Sequence, residues 1–238
     1  MYNRLDKFLF QRELVATRSQ AESYIRLGQV TVNGKVVTKP GHEVRDNDTV
    51  KLLAKEQYVS RAGLKLASVA QKLALDFRDK VVLDVGSSTG GFTEYAITHG
   101  AAKVYAVDVG TEQLHPSLRS NPKIELHEQT DIRDFKPADI PDIVVMDVSF
   151  ISLREILPHI AKVSGKDTHI IAMLKPQFEA GRDQVNKGII KNDRVRRQIL
   201  KDFETWAMQY FVIRDKHDSE VAGTKGNLER FYLLKKLN

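Results

Sequence analysis

From residue 60 onward, short apolar runs alternate regularly with stretches of helical periodicity. Six runs are predicted to be strands, because they are rich in aliphatic and β-branched residues and are bounded by turn residues. They are Val81–Val85, Lys103–Val107, Ile143–Met146, Ile170–Leu174, Tyr210–Asp215 and Arg230–Leu234. This alternation predicts an α/β domain whose largely parallel sheet is covered by helices on both faces. Such sheets bind ligands beyond the carboxyl ends of their strands, where the strand order reverses.

A glycine-rich loop, DVGSSTGGFT, follows the first strand and opens a helix. Its glycines let the backbone turn sharply and approach a ligand closely. Asp108 ends the second strand about 20 residues later, where a carboxylate can accept hydrogen bonds from both hydroxyls of a ribose. The loop has neither the lysine of a nucleoside-triphosphate loop nor the GxGxxG pattern of an NAD site. The Asp84 carboxylate at its start suits the cationic end of S-adenosylmethionine better than a pyrophosphate.

The predicted cofactor site combines this loop with residues that follow three neighbouring strands. Its members are Asp84, Gly86, Ser87, Ser88, Thr89, Gly90, Gly91, Phe92, Asp108, Val109, Asp131, Ile132 and Asp147.

Four charged residues fall where the chain should reach the same edge of the sheet. Lys65 lies on a helix predicted at 61–75, before the first strand. Asp147 follows the run Ile143–Met146, Lys175 follows the run Ile170–Leu174, and Glu229 precedes the last strand. Each one alone has an ordinary explanation, since a strand-end lysine is usually solvated and an aspartate there often caps a helix. Their shared placement beside the glycine-rich loop favours a catalytic site. No cluster has metal-ligand spacing, so no metal is expected.

The first 55 residues predict a separate α+β module. Helical spacing in residues 4–13 precedes a capping box, in which the Thr17 hydroxyl accepts the Gln20 N–H and the Gln20 side chain reaches back. Asn33-Gly34 predicts the turn of a tight hairpin, and residues 49–53 predict a further strand. The predicted boundaries are 1–55 for this module, 56–60 for a linker and 61–238 for the catalytic domain.

Positive charge is concentrated in the N-terminal part of the chain. Residues 1–72 contain 13 Lys and Arg against 7 Asp and Glu, whereas residues 73–238 contain 24 of each. A local cationic surface favours a polyanion such as RNA. The predicted RNA-binding residues are Arg4, Lys7, Arg12, Arg18 and Arg26. Lys35 and Arg45 are interpreted as loop charges, and Arg194, Arg196 and Arg197 as the exposed side of a helix.

Composition also excludes some classes of protein. The chain contains no cysteine, which rules out disulfides, thiolate metal sites and methylation of pyrimidine carbon 5 through a cysteine nucleophile. The N-terminus lacks the apolar run of a signal peptide, and no segment approaches the roughly 20 apolar residues that cross a bilayer. A cytoplasmic protein without a membrane partner is therefore expected, and a monomer is plausible.

The motifs resemble a known family. Residues 60–238 resemble the FtsJ (RrmJ)-like ribose 2′-O-methyltransferases, whose Lys-Asp-Lys-Glu tetrad is matched by Lys65, Asp147, Lys175 and Glu229. Residues 4–53 resemble an S4 RNA-binding domain. With YVSRAGLKL, DVGSSTGGFT, MDVSFIS and LKPQFEAG in this order, the chain is similar to the TlyA family, whose members are also called haemolysins. This resemblance implies a Rossmann-like class I methyltransferase domain that uses S-adenosylmethionine to methylate cytidine 2′-hydroxyls in ribosomal RNA of one or both subunits.

The chemistry explains these residue types. A ribose hydroxyl is a poor nucleophile, so catalysis requires alignment with the methyl group and removal of the hydroxyl proton. Lys175 is the expected base if it is uncharged, a state that burial and the nearby cation Lys65 favour. If the acids Asp147 and Glu229 dominate, Lys175 stays charged and acts by positioning and electrostatics.

Other functions remain open at this stage. Enzymes that methylate exocyclic amines usually carry an Asn/Asp-Pro-Pro-aromatic turn after the fourth strand, whereas this chain has Asp147-Val148-Ser149-Phe150 there. The remaining alternatives are a non-catalytic RNA-binding or ribosome-assembly factor, a membrane-acting haemolysin, and a methyltransferase that acts on a protein or small molecule.

Overall fold

The computed structural model describes residues 2–15, 17–54, 58–181, 185, 187–190, 192–221, 223 and 226–237. The N-terminal module contains two helices and five short strands, in the order β1 (Tyr2–Arg4), α1 (Leu5–Gln11), α2 (Arg18–Arg26), β2 (Val30–Val32), β3 (Lys35–Val36), β4 (Glu43–Arg45) and β5 (Val50–Leu52). β1 pairs with β4, and β3, β2 and β5 form a second antiparallel sheet.

The predicted helices and hairpin of this module are confirmed. Asn33 and Gly34 both have positive φ, at 50° and 78°, as a tight hairpin turn requires. Strands β1 and β4 were not predicted, because each contains at most one aliphatic residue, whereas the equally short β2 and β5 each contain two. The Thr17 hydroxyl accepts the N–H of Gln20 at 3.1 Å as expected, but the Gln20 amide donates to the Tyr58 carbonyl at 2.7 Å, outside the module.

The second part of the chain alternates strands and helices, as predicted. Its elements are α3 (Arg61–Ala70), β6 (Val81–Val85), α4 (Gly91–Thr98), β7 (Lys103–Val107), α5 (Pro116–Arg119), β8 (Ile124–His127), a 3₁₀ turn (Ile132–Asp134), β9 (Ile143–Met146), α6 (Leu153–Val163), β10 (His169–Leu174), α7 (Pro176–Glu179), α8 (Asp193–Ala207), β11 (Phe211–Asp218) and β12 (Arg230–Lys236).

Seven strands form one sheet in the order β11-β12-β10-β9-β6-β7-β8. The five strands from β10 to β8 are parallel, and β12 is inserted antiparallel between β10 and β11, so β11 runs in the same direction as β10. After β8 the chain returns to the other side of β6, so the order reverses between β6 and β9. The α/β class and its parallel core are confirmed, and the reversal fixes where a ligand should bind.

The central strands are buried on both faces, because alternate residues point into two apolar cores. Val82 and Val145 belong to one core, while Leu83 and Val144 belong to the other. The first core continues into the N-terminal module through Tyr58, which is 5% exposed. Tyr58, which falls within the predicted linker, therefore packs between the two parts of the chain.

Candidate active site

The glycine-rich loop wraps around the carboxyl end of β6. Gly86 has φ +78°, and a Cβ there would lie 3.1 Å from the backbone oxygen of Asp147. Gly90 has φ +93°, and a Cβ there would lie 2.5 Å from the side chain of Leu118. A Cβ on Gly91 would clash with Ser60. These glycines are needed for close packing within the protein. Gly90 and Gly91 do not line the cleft and support the loop from behind.

A cleft opens beside this loop at the reversal point of the sheet. It encloses about 900 Å³ including its mouth. Predicted cofactor residues from four segments line it: Gly86, Ser88, Asp108, Val109, Asp131, Ile132 and Asp147. An adjoining chamber is lined by further loop residues, namely Ser87, Thr89 and Phe92, together with Lys65 and Lys175. The structure therefore gathers the donor loop and the predicted catalytic lysines at one edge of the sheet.

Asp108 is fixed at the cleft by backbone groups. One carboxylate oxygen accepts the N–H of Ser88 at 2.8 Å, and the other accepts the N–H of Gly110 at 2.7 Å. Each oxygen keeps a second lone pair for a ligand. Asp131 is held in a similar way by the backbone N–H and the guanidinium of Arg133. Both carboxylates are therefore oriented acceptors, which suits the hydroxyls and amine of an adenosine group.

Asp84 is the only member of the predicted cofactor site, among the described residues, whose carboxyl is fully buried with a raised pKa. Burial raises the pKa of Asp84 to about 7, and the nearby charge of Asp147 adds to this shift. The hydroxyl of Thr93 donates to one oxygen at 2.6 Å, while the other oxygen accepts no hydrogen bond. A cation in the cleft would relieve this arrangement. Asp84 itself lies behind the wall of the cleft, whereas the carboxylates of Asp108 and Asp147 line it. These three acids together suit a ligand that carries positive charge, as S-adenosylmethionine does.

The four predicted catalytic residues meet as two ion pairs. Lys65 Nζ lies 2.6 Å from Glu229 Oε2, and Lys175 Nζ lies 2.6 Å from Asp147 Oδ1. None of the four side chains is more than 14% exposed. Side chains separated by up to 164 positions are thereby brought to one buried location. Burying ion pairs costs desolvation free energy, and such pairs are often found at functional sites. The arrangement therefore favours a catalytic role.

Three side chains at this site were not singled out from the sequence. The Ser149 hydroxyl accepts a hydrogen bond from Lys175 Nζ at 2.8 Å. Phe150 is 91% exposed, has φ +66°, and packs against Phe178 at a ring distance of 5.2 Å. Glu179 accepts the Ser152 hydroxyl and the Leu153 N–H at 2.6 and 2.7 Å. All three lie in the motifs MDVSFIS and LKPQFEAG. The sequence analysis noted these motifs but gave these residues no role.

The predicted RNA-binding arginines are not equally available. Arg4 and Arg18 both donate to the buried carboxylate of Asp6, at 3.0 and 2.7 Å. Each keeps nearly half of its side chain exposed. These two residues therefore have a structural role in addition to any contact with RNA.

The remaining predicted RNA-binding residues, Lys7, Arg12 and Arg26, are exposed on the two helices. Arg26 lines a groove that it shares with Arg61, at the junction between the module and the catalytic domain. In the catalytic domain, Arg196 is held by Asp218 at 2.6 Å, whereas Arg194 and Arg197 lie on the exposed side of α8.

Two further structural findings concern other classes of ligand. In the part of the chain that the structure describes, no three His, Asp or Glu side chains are grouped to hold a metal ion. None of the described helices combines the length and apolar character needed to cross a bilayer.

Comparison with known proteins identifies both parts of the chain. The model of the FtsJ-like methyltransferases matches residues 58–236, and the S4 domain model matches residues 3–50. Hemolysin A of Brachyspira hyodysenteriae is 38% identical, over 95% of this chain and 97% of that protein. The 23S rRNA (cytidine-2′-O)-methyltransferase TlyA of Campylobacter jejuni is 37% identical, over 94% of this chain and 96% of that protein.

Solved structures agree with this relationship. A structure from Streptococcus thermophilus, provisionally assigned as a haemolysin, has 37% identity and a TM-score of 0.75, and the match covers 100% of this chain and 89% of that one. An S-adenosylmethionine-dependent methyltransferase from Mesorhizobium loti has a TM-score of 0.54 at 13% identity, covering 75% of this chain and all of that one, which supports the fold alone. The chain therefore belongs to the FtsJ-like methyltransferases that carry an N-terminal S4 domain, the family of TlyA and haemolysin A, and is an S-adenosylmethionine-dependent enzyme.

Proposed function

We propose that this enzyme methylates the 2′-hydroxyl of cytidine in ribosomal RNA. The observation that carries the proposal is the meeting of two buried Lys–acid ion pairs at the wall of the cleft. Relatives named as rRNA (cytidine-2′-O)-methyltransferases, at 35 to 37% identity over nearly the whole chain, support the choice of substrate. The exposed cations of the S4 domain are suited to hold structured RNA through its phosphates.

S-adenosylmethionine, when bound in the cleft, supplies an electrophilic methyl group. The protein's task is to present the ribose oxygen and accept its proton. As a neutral amine, Lys175 Nζ has two N–H groups, which can donate to Asp147 and Ser149, and one lone pair. The lone pair is left for the 2′-hydroxyl and takes its proton as the ribose oxygen bonds to the methyl group. Lys175 is our candidate for the group that receives the proton.

The second ion pair supports the same oxygen. Lys65 is held by Glu229 at 2.6 Å and lines the same chamber as Lys175. Its positive charge can stabilise the negative charge that develops on the ribose oxygen. Glu229 would fix the position of Lys65, since a buried ammonium without an acceptor is strongly disfavoured.

The RNA and the location follow from the same proposal. Assembled subunits or free ribosomal RNA are the expected partners, and the cytoplasm is where both are found. A target nucleotide inside a helix would have to be flipped out to reach Lys175, because the lysine is buried at the edge of the sheet.

The test is methyl transfer from labelled S-adenosylmethionine to small subunits, large subunits and free ribosomal RNA, followed by mapping of 2′-O-methylation. Lys175→Ala and Lys175→Arg should both lower the rate by about 10²-fold or more, because a guanidinium cannot act as a base at neutral pH. Lys166→Ala is the matched control, since Lys166 is exposed in the turn before β10, at the opposite edge of the sheet. Transfer to a nucleobase, or no transfer to RNA by the wild type, would contradict the proposal.

A further inference from the structure

A second pocket adjoins the catalytic lysines. It is bounded by Lys65 and Lys175 but by no residue of the glycine-rich loop, and it encloses about 800 Å³ including its mouth. We call it the acceptor pocket. Its other lining residues are Ser149, Phe150, Gln177, Phe178, Gly188, Asn227 and Glu229. Both lysines also line the chamber beside the donor cleft, so the acceptor pocket is the space on their other side in which the nucleotide to be methylated would lie.

The walls of the acceptor pocket suit a flat heterocycle. Phe150 and Phe178 provide aromatic surface, with ring centroids 5.2 Å apart and planes at 48°. Asn227 holds the opposite segment in place, since its side chain accepts the N–H of Ile190 at 3.0 Å and donates to the carbonyl of Gly188 at 2.8 Å. The amide of Asn227 is therefore already satisfied. Proteins that bind an unstacked base combine aromatic surface with a few hydrogen-bonding groups in this way.

Among the described residues that line this pocket, Gln177 has a buried side-chain oxygen that takes part in neither a hydrogen bond nor an ion pair. Its Oε1 atom is buried, yet it accepts no hydrogen bond. A buried amide oxygen without a donor is unfavourable, and the large majority of such groups in folded proteins are paired. Gln177 lies two residues after Lys175, at the start of the short helix α7, so its position is tied to that of the catalytic lysine. Rotation of the Gln177 side chain, which lines the pocket, would expose Oε1 to a ligand donor and remove this deficit.

We propose that Gln177 is a specificity-determining residue, whose side-chain oxygen accepts a hydrogen bond from the exocyclic amine of the target cytosine. This inference rests on the proposed function and identifies how its base would be selected. Uracil carries a carbonyl oxygen in place of that amine and would put two acceptors against each other. A contact of this kind discriminates between bases by roughly 5- to 150-fold.

The experiment uses the full-length enzyme and the ribosomal RNA fragment mapped above, with cytidine or uridine at the methylated position. The ratio of kcat/KM for the two fragments is measured for the wild type, Gln177→Leu and Gln177→Glu. Leucine has no acceptor, whereas glutamate keeps one. Gln198→Leu is the matched control, because Gln198 is exposed on α8 and contacts only Asp202 among the described hydrogen bonds.

We expect the wild type and Gln198→Leu to prefer cytidine by at least fivefold. Gln177→Leu should reduce this preference to less than twofold, and Gln177→Glu should retain it. Damage to the fold would lower both rates and leave their ratio unchanged, so equal preference in the wild type and Gln177→Leu would overturn the inference while leaving the proposed 2′-O-methylation intact. If Gln177→Leu does not fold, loss of the cytidine preference in Gln177→Glu would overturn it as well.

Discussion

The buried carboxyl of Asp84 should make the stability of this enzyme fall as the pH rises toward neutrality. The pKa of Asp84 is raised to about 7 by burial, from an ordinary value of 3.8. Below pH 4 the group is protonated in both the folded and the unfolded chain. Between these two values the unfolded chain loses the proton while the folded chain keeps it, so ionisation favours unfolding. At 1.36 kcal/mol per pH unit, the loss between pH 4 and 7 is about 4 kcal/mol.

Asp84→Asn isolates this contribution. Asparagine has nearly the same shape, stays neutral at every pH and can still accept the hydrogen bond from the Thr93 hydroxyl. Urea unfolding, followed by the fluorescence of Trp206, gives the free energy of unfolding of both proteins at pH 4.5 and 8. The chain has one tryptophan, so the signal has a single source. The variant should gain about 3 kcal/mol relative to the wild type between these pH values, because about 1 kcal/mol of the full effect is already present at pH 4.5. A constant difference would refute the reasoning.

The same carboxyl should couple the cofactor to pH. Asp84 interacts electrostatically with Asp147 and Asp108, which both line the cleft. A bound cation would favour the ionised form of Asp84, so binding should release a proton below pH 7. Affinity for S-adenosylmethionine should therefore increase from pH 5.5 toward about 7 and then level off, and Asp84→Asn should weaken this dependence. Calorimetry in buffers of different ionisation enthalpy measures the proton release directly.

Three other changes have defined outcomes. Ser149→Ala removes one of the two contacts that orient Lys175, so kcat should fall roughly tenfold with KM for RNA unchanged, and Ser149→Thr should restore it. Glu179→Gln leaves one oxygen for two donors at the start of α6, so urea unfolding should show a loss of about 1–3 kcal/mol. Arg18→Ala should lower the free energy of unfolding by about 1 kcal/mol at pH 7. Burial raises the pKa of Asp6, but Arg4 and Arg18 outweigh this effect and hold that pKa below its ordinary value. The loss should therefore shrink below about pH 4, where Asp6 becomes protonated.

The sequence predicted the fold wherever the signal was long or repeated. Five-residue apolar strands such as β6 and β7 were located to the residue, because their hydrophobic runs are bounded by turns. The three-residue strands β1 and β4 were missed, since their pairing depends on partners about 40 positions apart. The predicted entry helix, 61–75, ends five residues earlier in the structure at Ala70. Boundaries set by tertiary packing leave little trace in local periodicity.

The candidate site could likewise be predicted only in part. Residue type and position at strand ends were enough to propose Lys65, Asp147, Lys175 and Glu229, because topology alone brings the carboxyl ends of parallel strands together. Which acid pairs with which lysine could not be predicted, since it depends on side-chain directions at the edge of the sheet.

The roles of the arginines needed the structure for a different reason. Arg4 and Arg18 were predicted as RNA contacts from their charge, yet both are engaged by Asp6, whose burial no sequence pattern indicated. A basic residue in the sequence suggests a cationic surface, but whether its charge is available to a ligand depends on the acids that the fold places beside it. Lys7 and Arg26 are exposed and form no ion pair with the residues that the structure describes, so they are the better candidates for phosphate contacts.

The arrangement of the sheet explains why donor and acceptor can occupy separate pockets. The order reverses between β6 and β9, so the loop after β6 and the loop after β9 diverge and leave the donor cleft between them. Strand β12 is inserted antiparallel beside β10, which places Glu229 at its start next to the end of β10, where Lys175 lies. The antiparallel strand thus supplies an acid and the wall of the acceptor pocket at an edge that a parallel strand would reach only with its carboxyl end. Lys175 lines both the acceptor pocket and the chamber beside the donor cleft, which agrees with its proposed role as the group that takes the ribose proton.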